Sequence, residues 1–250
     1  EPNLLFRNEG PTTDGGWRFA DTTAAAGVAE PRASFPCWFW DFDNDGWEDL
    51  FVAGYGMDGI GQMAAAYRGQ PVNAAGPRLY RNNREGGFDD VTDTSGITRC
   101  WLPMGVNYGD IDNDGHLDFY IGTGYPHLDF LLPNRMYRNL GGGKFQDITT
   151  AGGFGHLQKG HAVSFADIDN DGDQDVHVVM GGAYTGDTYP NALFQNPGNS
   201  NDWLKLKLIG KTSNRAALGA RIHLTLQTPA GERHIHRTIS TGGSFGCNPL

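Results

Sequence analysis

Hydrophobic and polar residues alternate along this chain in short runs with a period of two residues. Such alternation is typical of β-strands that bury one face. Between residues 106 and 149, four such runs follow one another and are separated by turn residues. They predict strands at Val106–Ile111, Asp118–Gly122, Arg135–Asn139 and Lys144–Thr149.

Two short signatures repeat along the chain and set the length of a unit. A Tyr-Arg-Asn or Phe-Gln-Asn triplet ends at Asn82, Asn139 and Asn196, so neighbouring copies lie 57 residues apart. A further triplet, Phe-Arg-Asn, ends at Asn8. A Phe-x-Asp-x-Thr segment follows three of the triplets, starting at Phe19, Phe88 and Phe145. Four strands per repeat is typical of a β-propeller blade.

The predicted fold is an all-β partial propeller of four-stranded blades in residues 1–198. The 37 Gly and 13 Pro residues favour short strands and tight turns. An aromatic residue two positions before each loop (Phe39, Tyr108 and Phe165) is predicted to face the neighbouring blade. The stretch Gly56–Pro77 is interpreted as a loop inserted into one unit.

The number of blades is too small for a closed ring, because propellers need at least about four. Either more chain is missing or another copy completes the assembly. The first residue, Glu1, favours a processed or partial product of a longer precursor.

The pattern changes after residue 198, which predicts a separate small β-domain at 199–250. Its strands are predicted at Trp203–Leu208, Ala220–Leu226 and His234–Ile239. The boundary is placed in the turn-forming segment Asn196–Ser200.

An Asp-x-Asp-Asn-Asp-Gly-x-x-Asp motif occurs three times, at Asp41–Asp49, Asp110–Asp118 and Asp167–Asp175. Ca²⁺ prefers six to eight oxygen ligands, and a Gly at the sixth position allows the sharp turn that brings such ligands together. Clustered carboxylates repel one another without a cation. The motifs, called the Asp loops below, therefore predict three structural Ca²⁺ sites at the turns of β-hairpins. An EF-hand loop would end in Glu at position 12, which these loops do not.

The predicted ligands are four side chains and one main-chain carbonyl in each loop. In the first loop they are Asp41, Asp43, Asp45, Asp49 and the carbonyl of Trp47. In the second they are Asp110, Asp112, Asp114, Asp118 and the carbonyl of His116. In the third they are Asp167, Asp169, Asp171, Asp175 and the carbonyl of Asp173.

Charge and composition exclude several classes of partner. The net charge is −10, and Lys and Arg are scattered, so the basic surface that nucleic acids require is missing. The sequence has no apolar stretch of about 18 residues, which argues against membrane insertion of this segment. Cys37, Cys100 and Cys247 allow one disulfide, such as Cys37 to Cys100, or three thiols.

The Asp loops and the two signatures resemble the FG-GAP/VCBS repeats of integrin-α-like propellers and of many secreted bacterial proteins. Residues Asn201–Leu204 with Leu208 and Gly210, and then Ser213–Ile222, resemble the ASPIC/UnbV domain of cartilage-acidic-protein-like proteins. The chain ends soon after Gly243–Phe245, before that family's terminal segment. The resemblance implies a secreted or cell-surface module that acts in adhesion, in the matrix or in carbohydrate contact.

Three functional hypotheses follow. The first is a non-enzymatic structural or adhesion module that binds other protein chains, including copies of itself, through open sheet edges. The second is a carbohydrate-binding module whose sugar-stacking residues would be Trp38, Trp40, Trp47, Trp101 and Tyr125. The third is the propeller part of a polysaccharide lyase or a dehydratase, although no catalytic residues or catalytic motifs are identified. His234 and His236 alternate on one strand, but the sequence shows no third metal ligand beside them.

Overall fold

The computed structural model describes residues 1–57, 59–97, 102–127, 132–182 and 184–243. In these residues the chain forms fifteen β-strands and three short helices. The strands pair antiparallel in five small sheets, none of which is a closed barrel. The prediction of an all-β chain is therefore confirmed.

The first sheet is a two-stranded hairpin with an exposed apolar face. It pairs β1 (Phe6–Pro11) with β2 (Trp17–Asp21), and the single helical turn α1 (Thr23–Ala26) follows. The side chains of Phe6, Trp17 and Phe19 are each more than half exposed.

The second and third sheets have four strands each, and their strands follow the chain order. The second sheet contains β3 (Ser34–Trp40), β4 (Asp49–Gly54), β5 (Arg78–Asn82) and β6 (Phe88–Asp90), with helix α2 (Ile60–Tyr67) between β4 and β5. After helix α3 (Thr92–Ser95), the third contains β7 (Pro103–Gly109), β8 (Asp118–Thr123), β9 (Arg135–Asn139) and β10 (Phe145–Asp147). All four strands predicted between residues 106 and 149 form, and their bounds differ from the prediction by at most three residues.

Helix α2 lies inside the stretch that was interpreted as an inserted loop. Its sequence Gln62–Ala66 consists of good helix formers. The helix is held by Met63, which is buried in a small cluster with Met57, Leu102 and Leu132.

The fourth sheet has three strands in the described residues. They are β11 (Gly160–Ala166), β12 (Asp175–Met180) and β13 (Ala192–Phe194), in that order. Strand β13 is at the edge of this sheet, and its Leu193 is 52% exposed.

The main core lies between the second and third sheets, and a second core lies between the third and fourth. Trp38 and Phe51 of the second sheet pack with Phe119 of the third. On the other side, Tyr120 packs in a cluster with Val163 and other residues of the fourth sheet. Since a neighbouring sheet covers each face, every residue of β8 is buried.

The prediction that Phe39 packs against a neighbouring unit is not confirmed. Phe39 is 46% exposed, whereas Trp38 and Trp40 are buried. Successive side chains of a strand point to opposite faces, so the aromatic residues on either side of Phe39 occupy the core face together. The equivalent Phe165 is buried, as predicted.

The first strands of neighbouring sheets approach each other closely where glycine occurs. A Cβ atom on Gly105 of β7 would lie 1.5 Å from the carbonyl oxygen of His161 in β11. No side chain fits at this position, so the absence of a Cβ is what allows the two strands to meet.

Near the carboxyl end, two of the three predicted strands form. They are β14 (Arg221–Thr228) and β15 (Gly231–Thr238), which pair as a hairpin. The strand predicted at Trp203–Leu208 is wrong, because this stretch lies outside every sheet and its Leu204 is 65% exposed. Alternation alone does not make a strand, since the backbone also needs a neighbouring strand to pair with.

Cys37 carries a free thiol. Cys100 and Cys247, the other cysteines considered for a disulfide, lie outside the described residues. Among the described helices, none has the length and apolar character needed to cross a membrane.

Candidate metal centres

Each Asp loop connects the first strand of a sheet to the second. The fourth and sixth residues of the loops have positive φ angles, which are 58° at Asn44 and 85° at Gly46. Asn tolerates the left-handed region and Gly adopts it without strain. The same conformations recur at Asn113, Gly115, Asn170 and Gly172. The identical spacing within the three motifs therefore gives one backbone conformation three times.

The structure brings three carboxylates together in each loop. Within a group, one oxygen from each residue lies within 4.8 Å of the others. The groups are Asp41, Asp43 and Asp45; Asp110, Asp112 and Asp118; and Asp167, Asp169 and Asp171. Oxygens bound to one Ca²⁺ at roughly 2.3–2.6 Å lie at most about 5 Å apart, so these separations fit a shared ion.

Each loop also contains one buried carboxylate oxygen without a hydrogen-bond partner. These atoms are Oδ1 of Asp43, Asp110 and Asp167. A buried acceptor that lacks a partner is costly, and a bound cation would satisfy it. The occurrence of one such oxygen per loop is the structural feature that best fits a metal ligand.

The ninth residue of each loop has a role that the sequence did not reveal. The Asp118 Oδ2 atom accepts a hydrogen bond from the main-chain amide of Ile111 at 2.8 Å. Its Oδ1 atom accepts one from the main-chain amide of Asn139 at 2.7 Å. Asp49 and Asp175 accept the equivalent pairs of bonds, from Phe42 and Asn82 and from Ile168 and Asn196. These carboxylates fasten the loop to the third strand of its own sheet. The structure groups only Asp118 with the metal-binding candidates, so metal binding by Asp49 and Asp175 stays a prediction.

Asparagine side chains connect each loop to the next one. The Asn44 amide donates to the Gly115 carbonyl at 2.7 Å, and the Asn113 amide donates to the Gly172 carbonyl at 3.3 Å. The fourth loop residue therefore has two functions, since it adopts positive φ and also bridges neighbouring loops.

The middle residue of the repeated triplet lies beside the third residue of each loop. The Arg81 Nε atom lies 2.7 Å from Asp43 Oδ2, and the Arg138 Nη2 atom lies 2.5 Å from Asp112 Oδ2. In the third loop the equivalent residue is Gln195, which donates to Asp169 at 2.8 Å. Sequence analysis did not assign these residues to the sites, although the 57-residue period places them at equivalent positions.

Burial raises the pKa of several carboxyl groups in the first two loops. Loss of solvation is the main cause, and it raises the pKa of Asp41 and of Asp110 to about 6 and that of Asp49 to about 8. It also raises the pKa of Asp118 well above its usual range. The charged form of these groups is therefore disfavoured unless a cation is bound nearby.

The third loop differs because a lysine lies beside it. The Lys205 ammonium is 3.0 Å from Asp167 Oδ2, and this hydrogen bond lowers the pKa of Asp167. Trp203 of the same segment packs on the loop, since a Cβ atom on Gly172 would lie 1.9 Å from the Trp203 ring. The segment that is not a strand thus covers the third Asp loop.

The hairpin of β14 and β15 contacts the first two loops. The Arg237 guanidinium donates to Asn44 Oδ1 at 3.1 Å and lies 3.4 Å from Asp110 Oδ2. Arg233 donates to the Asp114 carbonyl, and Thr238 donates to Glu48. The prediction of a domain boundary near residue 198 is not tested by these contacts.

The residues predicted to supply carbonyl ligands are held in place by hydrogen bonds from their main-chain amides. The amides of Trp47, His116 and Asp173 each donate at 2.9 Å to the fifth residue of their loop. These bonds fix the loop, whereas metal binding by the three carbonyls stays a prediction.

Two of the residues considered for sugar stacking are unavailable to a ligand. Trp38 is 4% exposed and Trp40 is 1% exposed, because both belong to the main core. Trp47 is 43% exposed, and Tyr125 is half-buried beside Tyr55. The remaining residue, Trp101, lies outside the described part of the chain.

Comparison with known proteins identifies the repeats. A family model described as an FG-GAP-like repeat matches residues 41–121 and 127–178. No curated protein matches the chain significantly. The comparisons do not support the resemblance of residues 199–250 to an ASPIC/UnbV domain, which remains a prediction. The matched residues include all three Asp loops and more than half of the sequence, and the chain therefore belongs to the FG-GAP-like repeat family.

Proposed function

We propose that this chain is a calcium-stabilised structural or adhesion module of an extracellular protein. The observation that carries the proposal is the threefold recurrence of one arrangement, in which three carboxylates share a loop and one buried oxygen lacks a partner. Each loop would bind one Ca²⁺ through the side chains and carbonyls named above. FG-GAP-like repeats are typical of extracellular proteins, where millimolar calcium saturates even weak sites.

The ion would have a structural role. The burial of Asp41 and Asp110 raises their pKa values, so without a cation their charged forms destabilise the folded loops. The arginines beside the first two loops compensate for this only in part, because one buried oxygen in each of these loops still lacks a partner. Calcium would satisfy that oxygen and neutralise the cluster.

We further propose that the four-stranded sheets are blades of a β-propeller. Supporting this proposal, the second and third sheets have the same strand order and pack side by side, and equivalent asparagines join their loops. We propose a non-enzymatic role. A lyase or dehydratase would instead need a bound calcium with an open coordination position beside a substrate cleft.

The partner that best fits the free end of the repeat array is another protein chain, and we propose a second copy. The amides of Asn44 and Asn113 each donate to the next loop, whereas no partner of the Asn170 side chain lies among the described residues. Asn170 is exposed in the last of the three Asp loops, and β13 is an edge strand of the same sheet in the described residues. Unpaired strand edges of this kind invite strand addition.

Calcium removal tests the principal proposal. At a calcium concentration of 100 times Kd, each site contributes about 2.7 kcal/mol to the free energy of unfolding. Chelation should therefore lower the Tm by about 5–10 °C for each site occupied at that level. Calorimetric titration of the chelated chain should show three Ca²⁺ ions, and D43N should remove one of them.

The control is D89N, which removes one carboxylate from an exposed position outside the Asp loops. It should bind three Ca²⁺ ions and melt like the wild type. A melting temperature that does not change with excess chelator would contradict the structural role of calcium.

A further inference from the structure

The hairpin of β14 and β15 brings three histidines onto one face. Its register pairs His223 with His236 and Thr225 with His234. Paired residues of an antiparallel sheet point to the same side, and side chains alternate along each strand. His223, His234 and His236 therefore share one face. The sequence pointed only to His234 and His236, and the fold supplies the third imidazole.

Two of the three rings bring their nitrogens within reach of one ion, whereas the nitrogens of all three do not lie within 4.8 Å of one another. The Nε2 atom of His223 lies 2.9 Å from the Nδ1 atom of His234. The ring of His236 stacks on that of His223, with centroids 4.3 Å apart. Nitrogens bound to one tetrahedral Zn²⁺ at about 2.0–2.1 Å are roughly 3.3 Å apart, so the first pair needs only a small outward shift. His236 must turn about its side-chain bonds to point a nitrogen at the same ion.

The second nitrogen of His234 is already oriented by a carboxylate. Its Nε2 atom lies 3.3 Å from Glu232 Oε1, and Gln227 donates to Glu232 Oε2 at 3.0 Å. Metal-binding histidines commonly donate their other N–H to a carboxylate, which fixes the tautomer and leaves the facing nitrogen free for the metal. In His234 that facing nitrogen is Nδ1, the atom directed at His223.

The chemistry of the face differs from that of the Asp loops. Imidazole suits Zn²⁺, Co²⁺, Ni²⁺ and Cu²⁺, whereas calcium prefers oxygen ligands. His223 and His234 are exposed, so an ion could reach them from solvent. The hydroxyl of Thr225 lies 3.4 Å from His234 Nδ1, where it is placed to hydrogen-bond a metal-bound water.

We propose that His223, His234 and His236 bind a divalent transition-metal ion of the Zn²⁺ class, with water in the fourth position. Each imidazole binds through an unprotonated nitrogen. His223 must therefore carry its proton on Nδ1, which breaks its hydrogen bond to His234. The site uses none of the Asp-loop carboxylates, although His236 packs on Gly46 of the first Asp loop, and its main-chain amide donates to Asn44 Oδ1 at 3.2 Å.

The test is titration of the chain of residues 1–250 with Co²⁺, whose visible absorption reports tetrahedral nitrogen coordination. Millimolar Ca²⁺ is present throughout, so that the Asp loops are occupied. The wild type should bind one Co²⁺ with such a spectrum, and Zn²⁺ should displace it. H223A and H234A should each weaken Co²⁺ binding at least tenfold, and H236A should also weaken it. E232Q should weaken binding roughly tenfold, and the variant should still bind one Co²⁺ per chain.

The matched control is H127A, which removes an exposed histidine far along the chain from the hairpin. It should bind Co²⁺ like the wild type. Circular dichroism and thermal melting of each variant establish that the chain is folded. If the folded H223A variant binds Co²⁺ as tightly as H127A does, or if the wild type gives no tetrahedral spectrum, the proposal is overturned.

Discussion

Asn139 shows how one residue can hold two repeats together. Its side-chain amide donates to the Leu117 carbonyl of the loop in its own sheet at 3.1 Å and to the Phe42 carbonyl of the preceding loop at 2.8 Å. Its Oδ1 atom accepts from the Gly141 amide at 2.9 Å. Asn196 makes the same two donations, to Gln174 and Ile111. The asparagine of the repeated triplet is therefore a bridge between loops.

Replacing Asn139 should destabilise the chain strongly. Asn139 is fully buried, so N139A leaves two carbonyls and one amide without partners. Each such group costs about 1–3 kcal/mol, and a loss of at least about 3 kcal/mol is expected in urea unfolding. The equivalent N82A is the control, because Asn82 is half-buried and donates only to Glu48. It should lose about 1 kcal/mol, and equal losses in the two variants would contradict the bridging role.

At the scale of strands, close contact between sheets depends on glycine. Strands β7 and β11 pass each other at Gly105, and a similar contact joins Gly122 of β8 to Gly160 of β11. These contacts place the first strands of two sheets side by side. The Asp loops, which follow those strands, therefore come within hydrogen-bond distance of each other.

A methyl group at Gly105 should separate the two strands. G105A places a Cβ atom where the His161 carbonyl lies, so we expect a loss of more than about 3 kcal/mol from displaced backbone. G61A provides the matched control, because a Cβ atom on Gly61 in α2 has open space around it. That variant should gain about 0.5–1 kcal/mol from helix propensity. Similar stabilities of the two variants would show that the strands can move apart freely.

A buried ion pair joins the β12–β13 connection to β11. The Lys159 ammonium lies 2.5 Å from Asp187 Oδ2, and Gln158 donates to Asp187 Oδ1 at 2.8 Å. The hydrogen bond from Lys159 lowers the pKa of Asp187 below its ordinary value. The carboxylate is thus held in its charged form in the folded chain.

The pair should contribute stability that depends on pH. Because the folded pKa is lower than the unfolded one, the unfolded chain binds the proton more tightly. The contribution is complete above about pH 4 and is lost as the pH falls through the folded pKa. At pH 7, D187N should cost about 3 kcal/mol, since Lys159 stays buried without its partner. The difference from wild type, measured by urea unfolding, should shrink below pH 4, and exposed D202N should show no such difference.

For the whole molecule, the sheets form an array with two different ends. One end is the exposed face of β1 and β2, and the other is the fourth sheet, which has β13 at its edge and Asn170 in its Asp loop. The contact that joins neighbouring loops inside the chain uses an asparagine donor and a glycine carbonyl acceptor. In the proposed self-association, Asn170 would offer such a donor to another copy, whose Gly46 carbonyl, 3.5 Å from Arg221 of its own chain, would be the equivalent acceptor.

Self-association should therefore weaken when the donor is removed. Analytical ultracentrifugation of the calcium-bound chain should show association that increases with concentration. N170D keeps a residue that tolerates positive φ but has no amide donor, and it should raise the dissociation constant at least tenfold. N73D adds the same charge at another exposed position and should associate like the wild type. A wild-type chain that stays monomeric would contradict the proposal.

Local patterns were sufficient for much of the fold. The period of two, the 57-residue repeat and the Asp motif predicted the strands of the third sheet, its loop and the carboxylates that the loop brings together. These features depend on neighbouring residues in the chain, since strand alternation and the positive φ of Asn and Gly are local properties. The failed strand at Trp203–Leu208 shows the limit of such patterns, because strand pairing needs a distant partner.

The sequence by itself determined the repeat, the all-β class and the composition of the three Asp clusters. Only the tertiary structure decided which groups are buried, which loops touch and which side chains meet across the chain. Asp118 accepts a hydrogen bond from the main-chain amide of Asn139, and a ring nitrogen of His223 lies 2.9 Å from one of His234. Both contacts exist because folding brings together residues that are separated along the chain. Burial then changed their chemistry, since the pKa of a carboxyl group depends on solvation and on neighbours that no local pattern reveals. The Asp motif therefore predicted where a cation would bind, and the fold showed why an empty site would be costly.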